Sequence, residues 1–401
     1  MITACLGPGI LDPSGGPGLA GHLARYGSLP AADAVQAAER CGIHGRGGAG
    51  FAVATKLRSV LAASRASGRR PVVVANGAEG EPASAKDAVL LTRSPHLVLD
   101  GLQTVGRALG ADTLILAAAP ALLPALEARL AERRDALPVR LHPVAERFLA
   151  GERSALVSSI DGGPPLPRAK VPPIRERGVT KRPTLVQNVE TLARLALAVR
   201  GDTSAAGSTL VTRREEISGL VRVDVVDVPL GAPLADVVRI DDGVGAVLVG
   251  GYHGTWLSTE VASDVALEAP GAAAAGVALG AGVVAALPAS RCGLRETARV
   301  VGYLAAESAG QCGPCLNGLP RIAAALDDLA RPARMPTAML EDLLRWCGLV
   351  RGRGACSHPD GTVRLVRSAL EVFGAELAIH DAGDCTAADP APFLPTPGSS
   401  P

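Results

Sequence analysis

An α/β chain with an all-helical C-terminus is predicted: a parallel sheet of βαβ units, then a small β-grasp-like module, then a four-helix bundle. Three observations carry this. Between residues 71 and 143, short apolar runs alternate with amphipathic helical stretches, the pattern of a parallel sheet. Residues 204–285 read mostly as strand around one short helix. From Cys292 onward, four helical stretches follow one another through short connections, as in an up-down bundle.

The elements follow in order. Residues 1–35 form a Gly/Pro-rich N-terminal extension, and a helix is expected over Ala31–Arg40. Then comes Gly45-Arg46-Gly47-Gly48-Ala49-Gly50-Phe51, and a helix over Ala52–Ala66. Val72-Val73-Val74 is a buried-type strand that leads into a polar loop, Asn76–Pro82. A helix over His96–Leu109, a strand over Thr113–Ala118, a helix over Pro120–Asp135 and a strand over Val139–Pro143 continue the alternation. Phe148–Leu156 opens another helix, and Thr184–Leu197 reads as helical. The basic, Pro-rich segment Gly162–Arg182 is long for a plain connection, so it is expected to cover a site.

Composition shifts near residues 201–208. Val221, Val223 and Val225 alternate with Arg222 and Asp224, the period of a half-buried strand. A short helix is expected over Pro233–Arg239 and strands over Ala246–Val249 and Thr255–Ser258. The bundle helices are expected at about 294–309, 316–330, 337–350 and 362–378, with apolar spacings such as Ile322, Leu326 and Leu329. Boundaries are set at 1–35, 36–203, 204–285 and 286–385, with a disordered Ala/Pro/Ser-rich tail over 386–401.

Composition excludes some roles. Net charge is +1, no long basic run occurs, and aromatics make up 2% of the chain. Nucleic acid is therefore not the expected partner. The first residues lack a basic segment followed by an apolar core. The uncharged stretch Ala269–Ser290 is Ala/Gly-rich and broken by Pro270 and Pro288, so buried strands and turns are expected there rather than a membrane span. The reading is a cytoplasmic protein.

Two stretches carry chemistry. Glycines let the backbone approach a ligand closely, and a glycine loop feeding a helix N-terminus presents free N–H groups to a phosphate. Lys56, one turn into the following helix, could reach the same anion. The second stretch is Cys312-Gly313-Pro314-Cys315 at a helix–loop–helix junction, with Cys356 before the fourth bundle helix. Alternate loops of a four-helix bundle share one end, so the three cysteines can converge. They suit an iron–sulfur cluster or a Cys₃His zinc site with His358; inert buried thiols are the plain alternative.

Five motifs occur in one order: Gly45–Phe51, Asn76–Asp87, Phe148–Leu156, Pro183–Leu192 and Glu307–Cys315. In this the chain resembles the NADH-binding flavoprotein subunit of respiratory complex I, and the diaphorase subunits of NAD-linked hydrogenases and formate dehydrogenases. The resemblance covers about residues 20–380. It implies a Rossmann-like FMN-binding domain, a β-grasp-like module and a helix bundle holding a [4Fe–4S] cluster. The implied chemistry is electron transfer from NADH to FMN to the cluster, and on to a separate redox protein. That partner would be a thioredoxin-like [2Fe–2S] subunit or a ferredoxin, and any membrane contact would come only through a complex.

The resemblance implies that the glycine loop (Gly45, Arg46, Gly47, Gly48, Gly50) and Lys56 cradle the FMN phosphate. Asn76 and Glu79 would lie along the ring and ribityl chain, Gly151 and Glu152 would close over the ring, and Asn188 and Thr191 would bind the ribityl–phosphate end. Phe51 and Glu81 would face NAD(H), and Glu81 and Glu152 are the catalytic candidates. Cys312, Cys315 and Cys356 would ligate the cluster.

The chain also departs from the pattern. Ala78 stands where an acid is usual, Arg153 replaces a second acid after Glu152, Gln187 replaces an asparagine, and Ile174 a phenylalanine. Ala309 stands where the family has a cluster cysteine. A non-cysteine fourth ligand, a [3Fe–4S] cluster, or substitution by Cys347 or the more distant Cys292 would each answer this; loss of the cluster is a further alternative. The alternative functions are a redox-degenerate scaffold or assembly component, and a flavoprotein fed by ferredoxin.

Overall fold

A computed structural model describes residues 2–4, 9–11, 16–48, 50–168, 172–267, 277, 279–336 and 338–397. The first part runs β1 (Ile2–Ala4), α1 (Leu19–Tyr26), α2 (Ala34–Arg40), α3 (Val53–Ser67), β2 (Val72–Gly77), α4 (Lys86–Arg93) and α5 (Pro95–Leu109). It continues with β3 (Thr113–Ala118), α6 (Leu123–Ala131), β4 (Val139–Pro143), α7 (Arg153–Ile160), β5 (Thr184–Asn188) and α8 (Val189–Ala198). Strands β4, β3, β2 and β5 lie in that order in one parallel sheet.

Strand β5 corrects the expected helix over Thr184–Leu197. Its first three residues are β-prone, and Asn188 caps the helix behind it by accepting the Glu190 N–H at 2.9 Å. The chain steps outward from β2 to β3 to β4, then returns with β5 to the far side of β2. Strand order therefore reverses between β2 and β5, where open sheets of this kind leave a crevice beyond the carboxyl ends. Asn76 and Asn188 are paired in register at that edge.

Alternate residues serve two cores. Val73, Ala75, Leu114, Leu116 and Leu185 pack with Leu99 and Leu102 of α5 and Leu192 and Leu195 of α8. Burying each of those leucines contributes roughly 1.5–3 kcal/mol. A side chain at Gly101 would stand 2.0 Å from the Leu192 carbonyl oxygen. This glycine therefore lets α5 and α8 touch backbone to backbone.

On the other face Val72, Val74, Ile115, Ala117 and Val186 pack with Leu156 and Val157 of α7 and with Ile174 and Val179. The Gly162–Arg182 segment thus closes a sheet face. Among its described residues none lines the cleft discussed below, which corrects its expected role. The helix expected from Phe148 begins at Arg153, and the helix expected over Pro120–Asp135 is a 3₁₀ turn (Pro120–Leu122) followed by α6.

The second sheet is built from β6 (Ser208–Ile217), β7 (Leu220–Pro229), β8 (Val244–Val249), β9 (Thr255–Leu257) and β10 (Val283–Pro288), with α9 (Thr259–Asp264) between β9 and β10. Its order is β1-β7-β6-β10-β8-β9, with β1 along β7 and β10 along β6 parallel. The N-terminal segment thus supplies an edge strand. Strand β6 escaped the sequence reading because Arg213, Arg214, Glu215 and Glu216 hide its alternation. The helix expected over Pro233–Arg239 is a 3₁₀ turn, Leu234–Asp236. Part of Ala269–Ser290 lies outside the described residues, and β10 occupies its end. Among the described residues no helix is long and apolar enough to cross a membrane.

The C-terminal region holds α10 (Gly293–Ala306), a π-helical turn (Pro314–Gly318), α11 (Leu319–Leu329), α12 (Met339–Val350), α13 (His358–Val372) and α14 (Gly374–Asp381). The fourth expected helix is thus two, parted at Phe373, whose ring meets Trp256 edge-on at 5.3 Å. The tail expected to be disordered is docked through its described part. Phe393 and Leu394 are buried, and their N–H groups donate to Glu296 at 3.0 and 2.8 Å. The guanidinium groups of Arg214 and Arg291 lie 5.2 and 5.9 Å from the Phe393 ring centre.

Candidate functional site

A cleft of about 610 Å³ opens at the carboxyl ends of β2 and β5. The glycine loop forms one wall. Gly48 and Gly50 have φ of 86° and 61°, values that glycine alone adopts without strain. The loop closes through the Gly45 N–H, which donates to the Phe51 carbonyl at 2.9 Å. It is anchored by the Arg46 N–H, which donates to Oγ1 of Thr191 at 2.9 Å. Thr191 is fully buried on α8, behind the cleft wall, so it holds the loop rather than facing a ligand.

The Arg46 side chain is buried beneath the loop. Its Nη2 donates to the carbonyls of Ala206 and Ser208 at 2.8 and 3.0 Å, while Nε and Nη1 have no partner. Burial lowers its pKa, against the pull of Glu190. Lys56 lines the cleft and donates to Oε1 of Gln187 at 3.2 Å. Burial first, then the positive Arg153 nearby, brings its pKa down to about 8. Phe51, 58% exposed, stands at the mouth.

The acids of the cleft are tied down. Glu79 accepts from the N–H groups of Asp87 and Ala88 at 3.2 and 3.1 Å, and from the Ser84 hydroxyl at 2.5 Å, capping α4. Glu152 caps α7, accepting from the N–H groups of Ser154 and Ala155 at 2.7 and 3.1 Å and from the Ser154 hydroxyl. Asn76 donates to the Gly151 carbonyl at 3.0 Å, and Asn188 donates to Asp87 at 2.7 Å. A Cβ at Gly151 would meet Ala78 at 3.3 Å, so this turn lies close against the β2 loop.

Glu81 is buried and accepts the Tyr252 N–H at 2.9 Å. Burial, partly offset by N–H donors from Tyr252 and Ala83 and reinforced by Glu79, raises its pKa to about 7. It is a cleft acid that can exchange a proton near neutrality.

Beneath the cleft floor runs a charge network that the sequence reading missed. Lys86 donates to Asp87 at 2.7 Å and to Glu190 at 3.1 Å; Arg194 pairs with Glu190 at 3.0 Å and Asp227 at 2.7 Å. These partners are scattered over some 140 positions of sequence. Only the Glu190–Arg194 spacing of one helical turn was visible in advance.

The third wall comes from the bundle. Ser357, Asp360, Gly361 and Arg364 of the start of α13 line the cleft, with His253 beside them. His253 Nε2 lies 3.0 Å from His358 Nδ1, and His358 Nε2 donates to the Leu304 carbonyl at 2.8 Å. His358 is therefore engaged in packing, which removes it from the alternative Cys₃His zinc site. Cys356 directly precedes the cleft-lining Ser357.

Cys312 and Cys315 share a thiol hydrogen bond, and Cys315 also feels Cys356. Burial pushes the Cys312 thiol up, but N–H donors from Ala355 and Cys315 outweigh it and its pKa falls. Burial and the Cys312 bond push Cys315 up to about 11. Cys347 is buried in the core of the bundle among apolar neighbours such as Leu326 and Leu343. Burial pushes its pKa up to about 11, with Arg367 its charged neighbour.

The residues fit the cofactors that the motifs imply. Two unpartnered nitrogens of a buried guanidinium, beneath a glycine loop with left-handed turns, suit a phosphate. The cleft volume suits a flat cofactor. Three thiols close enough to influence one another, two of them receiving backbone N–H bonds, suit iron–sulfur ligation.

Comparison with known proteins gives the following. A family model described as the Nuo51 FMN-binding domain matches residues 38–197. One described as the NADH-ubiquinone oxidoreductase-F iron-sulfur binding region matches residues 295–380. The chain is 28% identical over 375 residues to an F-type subunit (F2) of the NADH-quinone oxidoreductase of Rhizobium meliloti (strain 1021), covering 86% of this chain and 88% of that one. It is 29% identical to the F-type subunit of the NADH-quinone oxidoreductase of Salmonella typhimurium (strain LT2), covering 85% and 83%. Among solved structures, an NAD+-reducing [NiFe]-hydrogenase in the H2-reduced state matches with a TM-score of 0.75 and 28% identity. That match covers 90% of this chain and 63% of the hydrogenase chain, so this chain spans just under two thirds of it.

Proposed function

We propose that this chain, similar in both its FMN-binding and iron–sulfur regions to the F-type subunits of NADH-quinone oxidoreductases, carries electrons from NADH through FMN to an iron–sulfur cluster. The chemistry that bound FMN supplies is acceptance of a hydride and release of its two electrons singly. One observation carries the reading most directly. Ser357 lines the cleft and is the chain neighbour of Cys356, so a cluster on that cysteine adjoins a flavin in the cleft.

The chain's own residues divide the work. Gly45, Gly47, Gly48 and Gly50 present the loop backbone to the phosphate, with Arg46 beneath it and Lys56 beside it. Thr191 fixes the loop; Asn76, Asn188 and Gly151 border the ring and its polyol. Glu79 and Glu152 shape the cleft by capping the helices around it. Glu81, titrating near neutrality, stands where a proton can be held beside the nicotinamide, and Phe51 offers a face at the mouth. Cys312, Cys315 and Cys356 are the cluster ligands.

The relatives are named as subunits, which supports a complex in which a separate redox protein takes the electrons. A thioredoxin-like [2Fe–2S] subunit or a ferredoxin is the class proposed. The test is anaerobic purification followed by a visible spectrum. Flavin bands with a broad iron–sulfur shoulder, bleached by NADH, are expected. A colourless, folded protein overturns the reading, and bound flavin that NADH does not bleach overturns the donor.

A further inference from the structure

A second cluster of potential ligands lies at the other end of α10. Cys292, Glu376, His380 and Cys385 place one donor atom each within 4.8 Å of all the others, the one such group among the described residues. We propose that these four side chains bind a single zinc ion that staples the C-terminal helix to the start of the bundle.

The distances are compatible with a shared metal ion. Cys292 Sγ lies 3.6 Å from His380 Nε2, and His380 Nε2 lies 3.2 Å from Glu376 Oε1. Tetrahedral zinc, with its usual Zn–S, Zn–N and Zn–O lengths, separates such S and N donors by about 3.6 Å and such N and O donors by about 3.4 Å. These two donor pairs are thus already close to the spacing that the ion would impose, and the remaining pairs lie within 4.8 Å.

The surroundings orient the donors. His380 Nδ1 lies 3.0 Å from the Leu329 carbonyl. A carbonyl only accepts, so Nδ1 carries the proton in this bond, which leaves Nε2, facing the thiol and carboxylate, as the nitrogen that a metal would take. An imidazole held by a backbone carbonyl in this way is the usual second support of a zinc-binding histidine. Cys292 caps α10, and its sulfur accepts the Arg295 N–H at 3.5 Å, which fixes the position of the sulfur. Glu376 and His380 share one face of α14 at a spacing of one turn, and Glu376 is further held by Thr386 N–H at 3.0 Å.

Two sulfurs, one imidazole nitrogen and one carboxylate oxygen make a four-donor set of the ligand types that zinc takes, with no position left open. Cys292 precedes and Cys312 follows the 14-residue α10, whose own length is about 20 Å. The site joins residues up to 93 positions apart, Cys292 and Cys385.

The test is zinc content of the purified full-length protein by plasma mass spectrometry, with zinc-edge X-ray absorption, which does not see iron. One zinc per chain with two sulfur and two nitrogen or oxygen neighbours is expected. In His380→Ala and in Cys292→Ser/Cys385→Ser the zinc is lost while iron bound through Cys312 remains. Protein folded by circular dichroism but lacking zinc after growth in zinc-supplemented medium overturns the site, and so does a Cys292–Cys385 disulfide found by mass spectrometry. The wild-type measurement decides the matter even where a variant does not fold.

Discussion

The Arg46 N–H and the Thr191 hydroxyl meet at 2.9 Å inside the protein, tying the glycine loop to the helix that follows β5. Thr191→Val keeps the shape and removes the acceptor, leaving a buried N–H unpaired. A loss of about 1–3 kcal/mol in urea unfolding is expected, with weaker flavin retention through gel filtration. Thr191→Ser is expected to preserve both.

Lys56 sets a pH dependence. Its pKa in the free protein is brought down to about 8. A phosphate in the loop binds the charged form and holds the proton. Flavin affinity is therefore full below that pH and falls as pH rises through it, by up to about tenfold per unit. Fluorescence titration of FMN across this range checks it. Lys56→Met is expected to bind more weakly with a flat profile over the same range.

Glu190 is the pivot of the buried charges. Glu190→Gln leaves Lys86 with Asp87 and Arg194 with Asp227 but removes the buried carboxylate between them, and breaking buried pairs in this way costs about 3–5 kcal/mol. Removing the exposed Arg331–Asp327 pair by Asp327→Ala is expected to cost less than about 1 kcal/mol. Thermal unfolding of the two variants side by side makes the comparison.

The cysteines are expected to separate by iron content. Cys312→Ala lowers the iron bound per chain and removes the cluster's absorption. Cys347→Ala, in the bundle core, keeps the iron and lowers stability by on the order of 1 kcal/mol. Iron analysis of both variants decides whether Cys347 stands in for the cysteine replaced by Ala309.

The docked tail gives the last test. Phe393→Ala empties a closed slot beneath Arg214 and Arg291 and is expected to cost about 3–5 kcal/mol. A tail that contributed nothing would show no change in the unfolding midpoint.

What could be read in advance was local. The glycine loop was legible because its backbone needs positive φ at Gly48 and Gly50, which only the residue type allows. The cysteine trio was legible because loop order in a bundle places it. The strand Thr184–Asn188 was not, since its apolar part is only Leu185-Val186 and it passes into the helix through a single capping residue, Asn188, with no connecting loop. The tail over residues 393–395 looked unfoldable because the groups that receive it, Glu296, Arg299 and Arg214, are far away in sequence. The Cys292 cluster stayed hidden for the same reason. Glu376 and His380 alone, four positions apart, are an ordinary pair on a helix.

The cleft draws its walls from three parts of the chain: the glycine loop and sheet, the turns around Gly250 and Gly280, and the start of α13. A ligand that needs all three together binds only the fully assembled form, and so it acts as a thermodynamic fastener. At a hundredfold excess over its dissociation constant, such a ligand adds about 2.7 kcal/mol to the assembled state. Cofactor loading and domain docking are then one equilibrium. By the same linkage, a ligand in the cleft stabilises the wall beside Cys356.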